Sequence, residues 1–314
     1  MNCQILGSFL ADVVRNPKVG FLRVLDILAH GTKTSQLQKQ WRIAREEILS
    51  WSNENCARYK EEIYYLRDNM EYCMLPYDYS SPINCTIIAQ RDIESNDLFV
   101  LHNGKRLYFP REFTNHMAEE NYQNLVASEG ILGSGKRRES PHSYVNNRHY
   151  VEHGDVVLDI GCAEGLFALD NAEKAGHIYL FEPEERWQRP LQATFNPYAN
   201  KTTIISKLVS SHNSETSMRL EDAVKLDGDE VCFVKMDIEG YEREVLKDSK
   251  DFFTSHKVKL SCCLYHNQED EEVIVGMLKE WGYKISLSDG YMLPLVGDLK
   301  PPYFRRGMVY ARNF

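Results

Sequence analysis

Three short runs of this chain gather residue types that can act on a polar ligand. The first is Asp159-Ile160-Gly161-Cys162-Ala163-Glu164-Gly165, after the apolar run Val156-Val157-Leu158. Two glycines behind a buried strand permit a tight turn and close approach of backbone to a guest. Their spacing is Gly-x-x-x-Gly, not the Gly-x-Gly-x-x-Gly of dinucleotide binders, so a pyrophosphate is a poor fit. An acidic turn suits a ligand that carries positive charge. The second run is Phe181-Glu182-Pro183. A carboxylate at the tip of a second strand can accept both hydroxyls of a ribose. The third is Asp237-Ile238-Glu239-Gly240, with His266 following a later strand. A histidine or carboxylate at a strand tip can take the proton of a hydroxyl nucleophile. Asp237, Glu239 and His266 could instead hold Mg²⁺, but their spacing is no dedicated metal motif, so a plain base is favoured and no metal is assigned.

Those residues need elements to position them. From Gly154 onward, strands at 156–160, 177–181, 202–208, 231–236, 258–265, 283–287 and 308–311 are predicted. Helical patterns fall between most of them, at about 164–174, 184–194, 240–249 and 269–282. This alternation predicts an α/β fold with a doubly wound, mostly parallel sheet of seven strands, whose ligands bind at the carboxyl ends of the strands. Residues 76–150 form a lead-in. Thr86 to Ala89 and Leu98 to Leu101 read as strands, and Asn103-Gly104 is a hairpin signal before Leu107-Tyr108-Phe109. Gly130 to Arg148 reads as loop, with the basic run Lys136-Arg137-Arg138 and then His142 and Tyr144, which could fold over the site. Residues 1–75 read as helical. Leu37, Trp41, Ala44, Ile48 and Trp51 form a short seam, and Cys56, Tyr59, Ile63 and Leu66 a second stripe. The seam reads either as a helix packed on its own domain or as a homo-oligomer or docking helix, and a chain starting near residue 76 is expected to keep the sheet fold.

At this point the sequence resembles a known group. Val157 to Gly165, with Phe181-Glu182-Pro183, looks like motif I and its follower in class I S-adenosylmethionine-dependent methyltransferases. Val234-Lys235-Met236-Asp237-Ile238-Glu239-Gly240-Tyr241-Glu242 resembles the Lys-x-Asp-x-Glu-Gly-x-Glu signature of the FkbM-type methyltransferases, and Tyr265-His266 before an acidic helix start also fits. The resemblance covers about residues 140 to 314, and the methyltransferase domain is drawn at 151–314. It implies a Rossmann-like fold with S-adenosylmethionine as cofactor, held by Asp159, Gly161, Cys162, Ala163, Glu164, Gly165, Glu182, Pro183, Tyr144 and Asp237. It also implies O-methylation of a sugar hydroxyl in glycan or polysaccharide biosynthesis, or of a small natural product. His266 is the expected catalytic base, titrating near 6.5 if unperturbed, with Asp237 and Glu239 orienting it or the acceptor. A binding module that keeps the fold without turnover is the reading from another class, and the intact turn and acidic strand tips speak against it.

The balance of 37 basic and 46 acidic residues gives a net charge of -9 over 314 residues, whereas a duplex nucleic-acid binder carries a basic surplus. The longest apolar stretch, Val19 to Ala29, is broken by Arg23 and Asp26, so no transmembrane segment is expected. Met1 to Gln4 lacks the features of a signal peptide. Eight cysteines without a Cys-x-x-Cys pair read as reduced thiols of a cytoplasmic protein.

Overall fold

The computed structural model describes residues 35–55, 57–77, 87–129, 140–294 and 300–314. The readings made on residues 1–34, on Cys56 and Cys85, on Thr86 and on the basic run 136–138 lie outside these.

Seven strands form the central sheet: β1 Val156–Ile160, β2 His177–Phe181, β3 Thr202–Ile205, β4 Val231–Met236, β5 Lys257–Cys263, β6 Lys284–Leu287 and β7 Met308–Arg312. Their spatial order is β6-β7-β5-β4-β1-β2-β3. The pairs among β1 to β5 are parallel, and β7 runs antiparallel to both β5 and β6. The central strands are apolar because both faces are covered. On one face Val157, Ile178, Leu180 and Phe233 pack under the hairpin, the helix Asn115–Glu129 and the helix Glu185–Phe195. On the other, Leu158, Ile160, Val234, Met236 and Leu260 meet the helices Glu242–Asp248, Lys250–Ser255 and Asp270–Glu280.

Register then sets the site. Ile160 lies opposite both Phe181 and Met236, and Met236 lies opposite Cys262. The strand tips therefore form one row. The residues just beyond them, Gly161, Glu182, Asp237 and Cys263 with His266 close behind, open along one edge.

The lead-in is part of the same core. Leu98–His102 and Lys105–Phe109 pair across Asn103-Gly104, both at positive φ (50° and 80°), which is the turn that dipeptide prefers. Leu98, Val100, Leu107 and Phe109 join the cluster that contains Val157 and Trp187. Arg189 holds Asp97 through two hydrogen bonds of 2.9 and 2.8 Å, tying the hairpin to the helix after β2. Two expectations change here. Residues 87–89 are not strand, and the first short strand is Gln90–Arg91. The helix Asn115–Glu129 was not foreseen. Its buried stripe of Ala118, Tyr122 and Val126 packs under the sheet.

The N-terminal helices pack on their own chain. Ile48, Tyr59, Ile63 and Leu66 are buried against Tyr291, Leu293, Tyr303 and Phe304, with Trp41 and Trp51 at the margin. Tyr72 donates to the Leu293 carbonyl at 3.0 Å and Tyr303 to Glu47 at 2.8 Å. Ile48 and the residues Tyr59, Ile63 and Leu66 of the second stripe are thus covered by the chain's own C-terminal segment, as the reading of a helix packed on its own domain expects. Cys232, Cys262 and Cys263 are free thiols, and no helix among the described residues is long and apolar enough to cross a membrane.

Candidate active site

The glycine turn is stitched to the tip of β2. Gly161 and Cys162 donate their N–H groups to the Phe181 carbonyl at 2.9 and 3.2 Å, and Gly165 donates to the Cys162 carbonyl at 2.7 Å. Gly161 has φ +76°, and a Cβ there would run into the Asp237 carbonyl and lie 2.8 Å from Ile238 Cγ2. Glycine is required because two strand ends close on each other at this point. Gly165, at φ +81°, begins the helix Leu166–Asn171, and a Cβ there would crowd Phe195 and Leu191.

Glu182 is almost fully buried, at 1% exposure. Its Oε2 accepts the Ala163 N–H at 3.0 Å and its Oε1 the Glu184 N–H at 2.9 Å. The carboxylate is thereby fixed across the turn. Pro183 carries the chain from it into the helix Glu185–Phe195.

Asp159 and Lys235 lie opposite each other in the β1–β4 register and so share a face. Lys235 Nζ is 3.1 Å from Asp159 Oδ1 and donates to the Gly161 carbonyl at 2.7 Å. Burial opposes its charge, yet Asp159 and Asp237 raise its pKa, so the ammonium stays protonated. Above it lies the Tyr144 ring, 5.0 Å from Nζ.

The lead-in segment does fold over the strand tips. Tyr144 donates to Asp237 Oδ2 at 2.6 Å, and His142 Nε2 stands 3.3 Å from the same oxygen. Tyr265 approaches Asp237 Oδ1 at 3.4 Å. The segment is pinned by Ser261, which donates to the Tyr144 carbonyl at 2.6 Å, and by Tyr310, which donates to the Ser143 carbonyl at 2.7 Å. Asp237 is therefore the meeting point of β4, β5 and the lead-in. Burial acts against its charge, but the His142 hydrogen bond and the nearby cations His266 and Lys235 hold it well below the usual carboxylate range.

His266 corrects the expected titration. Its Nδ1 is 3.0 Å from Glu242 Oε1, and its Nε2 is 3.4 Å from Asp237 Oδ1 and 3.6 Å from Glu239 Oε2. Burial disfavours the charged ring, but Glu242, Glu239 and Asp237 outweigh it and push the pKa up to about 10. At neutral pH the ring is an imidazolium with no lone pair to receive a proton. Glu239 reaches this pocket from a left-handed backbone position, φ +58°, followed by Gly240 at +98°. Asp237, Glu242 and His266 lie close enough to share one ion, as do His142, Asp237 and Cys263. Glu242 was not foreseen. It is the last acidic residue of the Lys-x-Asp-x-Glu-Gly-x-Glu run, which is the signal that could have found it.

Glu129 was also missed. It continues the buried stripe Ala118, Tyr122 and Val126 at helical spacing, so the stripe itself places a carboxylate on the apolar face.

The order of the sheet and the glycine turn at its switch point define a Rossmann-like α/β fold of the methyltransferase class. Residues 214–285, which include β4, β5, Asp237, Glu239 and His266, match the model of the methyltransferase FkbM domain. That match covers 72 of the 314 residues. Among solved structures, methyltransferase FkbM from Methylobacillus flagellatus is 18% identical, with a TM-score of 0.44 over 65% of this chain; the match spans 56% of that protein. An rRNA methylase from Streptococcus thermophilus is 13% identical, with a TM-score of 0.36 over 52% of this chain and 89% of its own. A putative methyltransferase from Streptococcus mutans, solved with SAH, is 8% identical, with a TM-score of 0.36 over 52% of this chain and 90% of its own. No curated protein matches the chain.

Proposed function

We propose that this methyltransferase uses S-adenosylmethionine to methylate a sugar hydroxyl in glycan or polysaccharide assembly, in the cytoplasm. The observation that carries the cofactor reading is the buried Glu182 carboxylate, fixed by two backbone N–H groups beside a glycine turn too tight for any side chain. Glu182 would hold the ribose hydroxyls, and the turn from Asp159 to Gly165 would line the remainder. Bound there, the cofactor supplies an electrophilic methyl group. The sugar acceptor is supported by the resemblance and by the corner of hydroxyls, imidazole and carboxylate around Asp237, which can hydrogen-bond a polyol.

The chain's own residues account for the proton. An acceptor oxygen becomes strongly acidic as its new bond to carbon forms, so a weak base suffices. Asp237 is ionised, lies at the strand tip and keeps some access to solvent at 14% side-chain exposure. It takes the acceptor proton in this reading. His266, as a fixed imidazolium, orients Asp237 and Glu239 instead of acting as base. Tyr144 and Tyr265 aim the Asp237 oxygens. Asp237→Asn should lower turnover of labelled methyl groups onto a glycan acceptor by about 10²–10⁴-fold while S-adenosylmethionine still binds. Full turnover in that variant would remove Asp237 from the role. Treatment with EDTA should leave activity unchanged, and loss restored by Mg²⁺ would favour the metal.

A further inference from the structure

We propose that Glu129 and Glu164 together seat the α-ammonium of the cofactor's amino-acid end. Glu129 is thus a binding residue for the methyl donor contributed from outside the strand–turn–strand core. The inference rests on the cofactor reading above.

Glu129 is the last residue of the helix Asn115–Glu129 and is 94% buried, with 6% exposure. Its Oε2 has no hydrogen-bond partner among the described residues. An unpaired buried carboxylate oxygen is costly, so its retention calls for a partner that arrives with a ligand. The surroundings show which ligand. Glu129 interacts with Glu164 in the glycine turn, with Asp159 on β1, with Lys235 on β4, with Asp237 beyond β4 and with Tyr144 in the lead-in. Four carboxylates thus face one lysine, and Lys235 is already taken by Asp159 and the Gly161 carbonyl. Among the described residues the carboxylates of this cluster outnumber its positive charge, and a primary ammonium with three donors fits that deficit. Burial raises the pKa of Glu129, with Glu164 adding to it, and burial likewise raises Glu164 to about 7. Glu164, at about 7, is therefore partly protonated at neutral pH, and an incoming ammonium would displace that proton.

Two consequences follow from the sign of that exchange. A bound cation favours the ionised carboxylates, so cofactor binding releases protons, and affinity rises as pH increases through about 7. The guest without an amino-acid end should not sense Glu129 at all.

Calorimetry with two probes tests this: S-adenosylhomocysteine, which carries the ammonium, and 5′-methylthioadenosine, which lacks it. Glu129→Gln should weaken S-adenosylhomocysteine about 10–100-fold and leave 5′-methylthioadenosine within about twofold of wild type. Equal binding of S-adenosylhomocysteine by variant and wild type would overturn the assignment. So would equal weakening of both probes, which would make Glu129 structural. If wild-type protein binds neither probe, the cofactor reading itself fails, a result distinct from these.

Discussion

The chemistry of the site depends on which side chains are charged, and the geometry around each one decides that. Glu182 accepts two backbone N–H groups, so it has a structural duty besides the ribose contact proposed for it. Glu182→Ala should weaken S-adenosylmethionine by about 1–3 kcal/mol, and because two buried donors lose their acceptor it should also lower thermal stability. Calorimetry and a melting curve check the two effects separately; a variant with unchanged affinity would remove Glu182 from the ribose. His266 has a folded pKa of about 10 against an unfolded value near 6.5. Its raised value means that its contribution to stability is fully present below about pH 6.5 and is lost as pH rises through about 10. His266→Gln should therefore cost more stability at pH 7 than at pH 10.5, measured by denaturant unfolding. A rate profile of the wild type that steps upward near 6.5, with the step abolished in that variant, would restore the histidine as base.

At the scale of elements, the site is a row of strand tips drawn together by close backbone contact. Gly161→Ala adds a methyl group against the Asp237 carbonyl in a left-handed backbone conformation. That strain should cost about 1–3 kcal/mol or more, and it should displace Asp237 and so abolish turnover. A stable, fully active variant would show that the β1 and β4 tips need not touch. The two N-terminal helices pack on the C-terminal segment. Ile63 is fully buried beneath Tyr291 and Phe304, and Ile63→Ala should destabilise the protein by about 2–5 kcal/mol, read by denaturant unfolding. A chain starting near residue 76 would bare Tyr291, Leu293, Tyr303 and Phe304, so its soluble folding, expected from the sequence, is now not expected.

Elements with a strong local period were legible in the sequence. Strands β1, β2 and β4 have the bounds that their apolar runs suggested, and the Asn103-Gly104 hairpin forms as its dipeptide requires. The helix Asn115–Glu129 was hidden because its apolar stripe is thin, with Glu119, Glu120 and Asn121 between the buried positions. Side-chain partners were the least legible. Nothing local to Tyr265-His266 reveals that Glu242 stands 3.0 Å from the ring, because that meeting depends on β4 and β5 lying side by side. The cover of the Trp41 and Trp51 seam was hidden for the same reason: it lies more than 230 residues further along the chain.

Over the whole molecule, a net charge of -9 coexists with a pocket where Asp159, Glu164, Glu129 and Asp237 surround Lys235. Such a pocket favours a cationic guest and disfavours a pyrophosphate. The central claim is accordingly that the cleft at the strand tips takes S-adenosylmethionine. Isothermal titration of the full chain with S-adenosylmethionine and, separately, with NAD tests it most directly. The expected result is saturable binding of S-adenosylmethionine at one site per chain, weakened in Glu182→Ala, and no heat with NAD. Binding of NAD in preference, or no binding of S-adenosylmethionine by the wild type, would contradict the account.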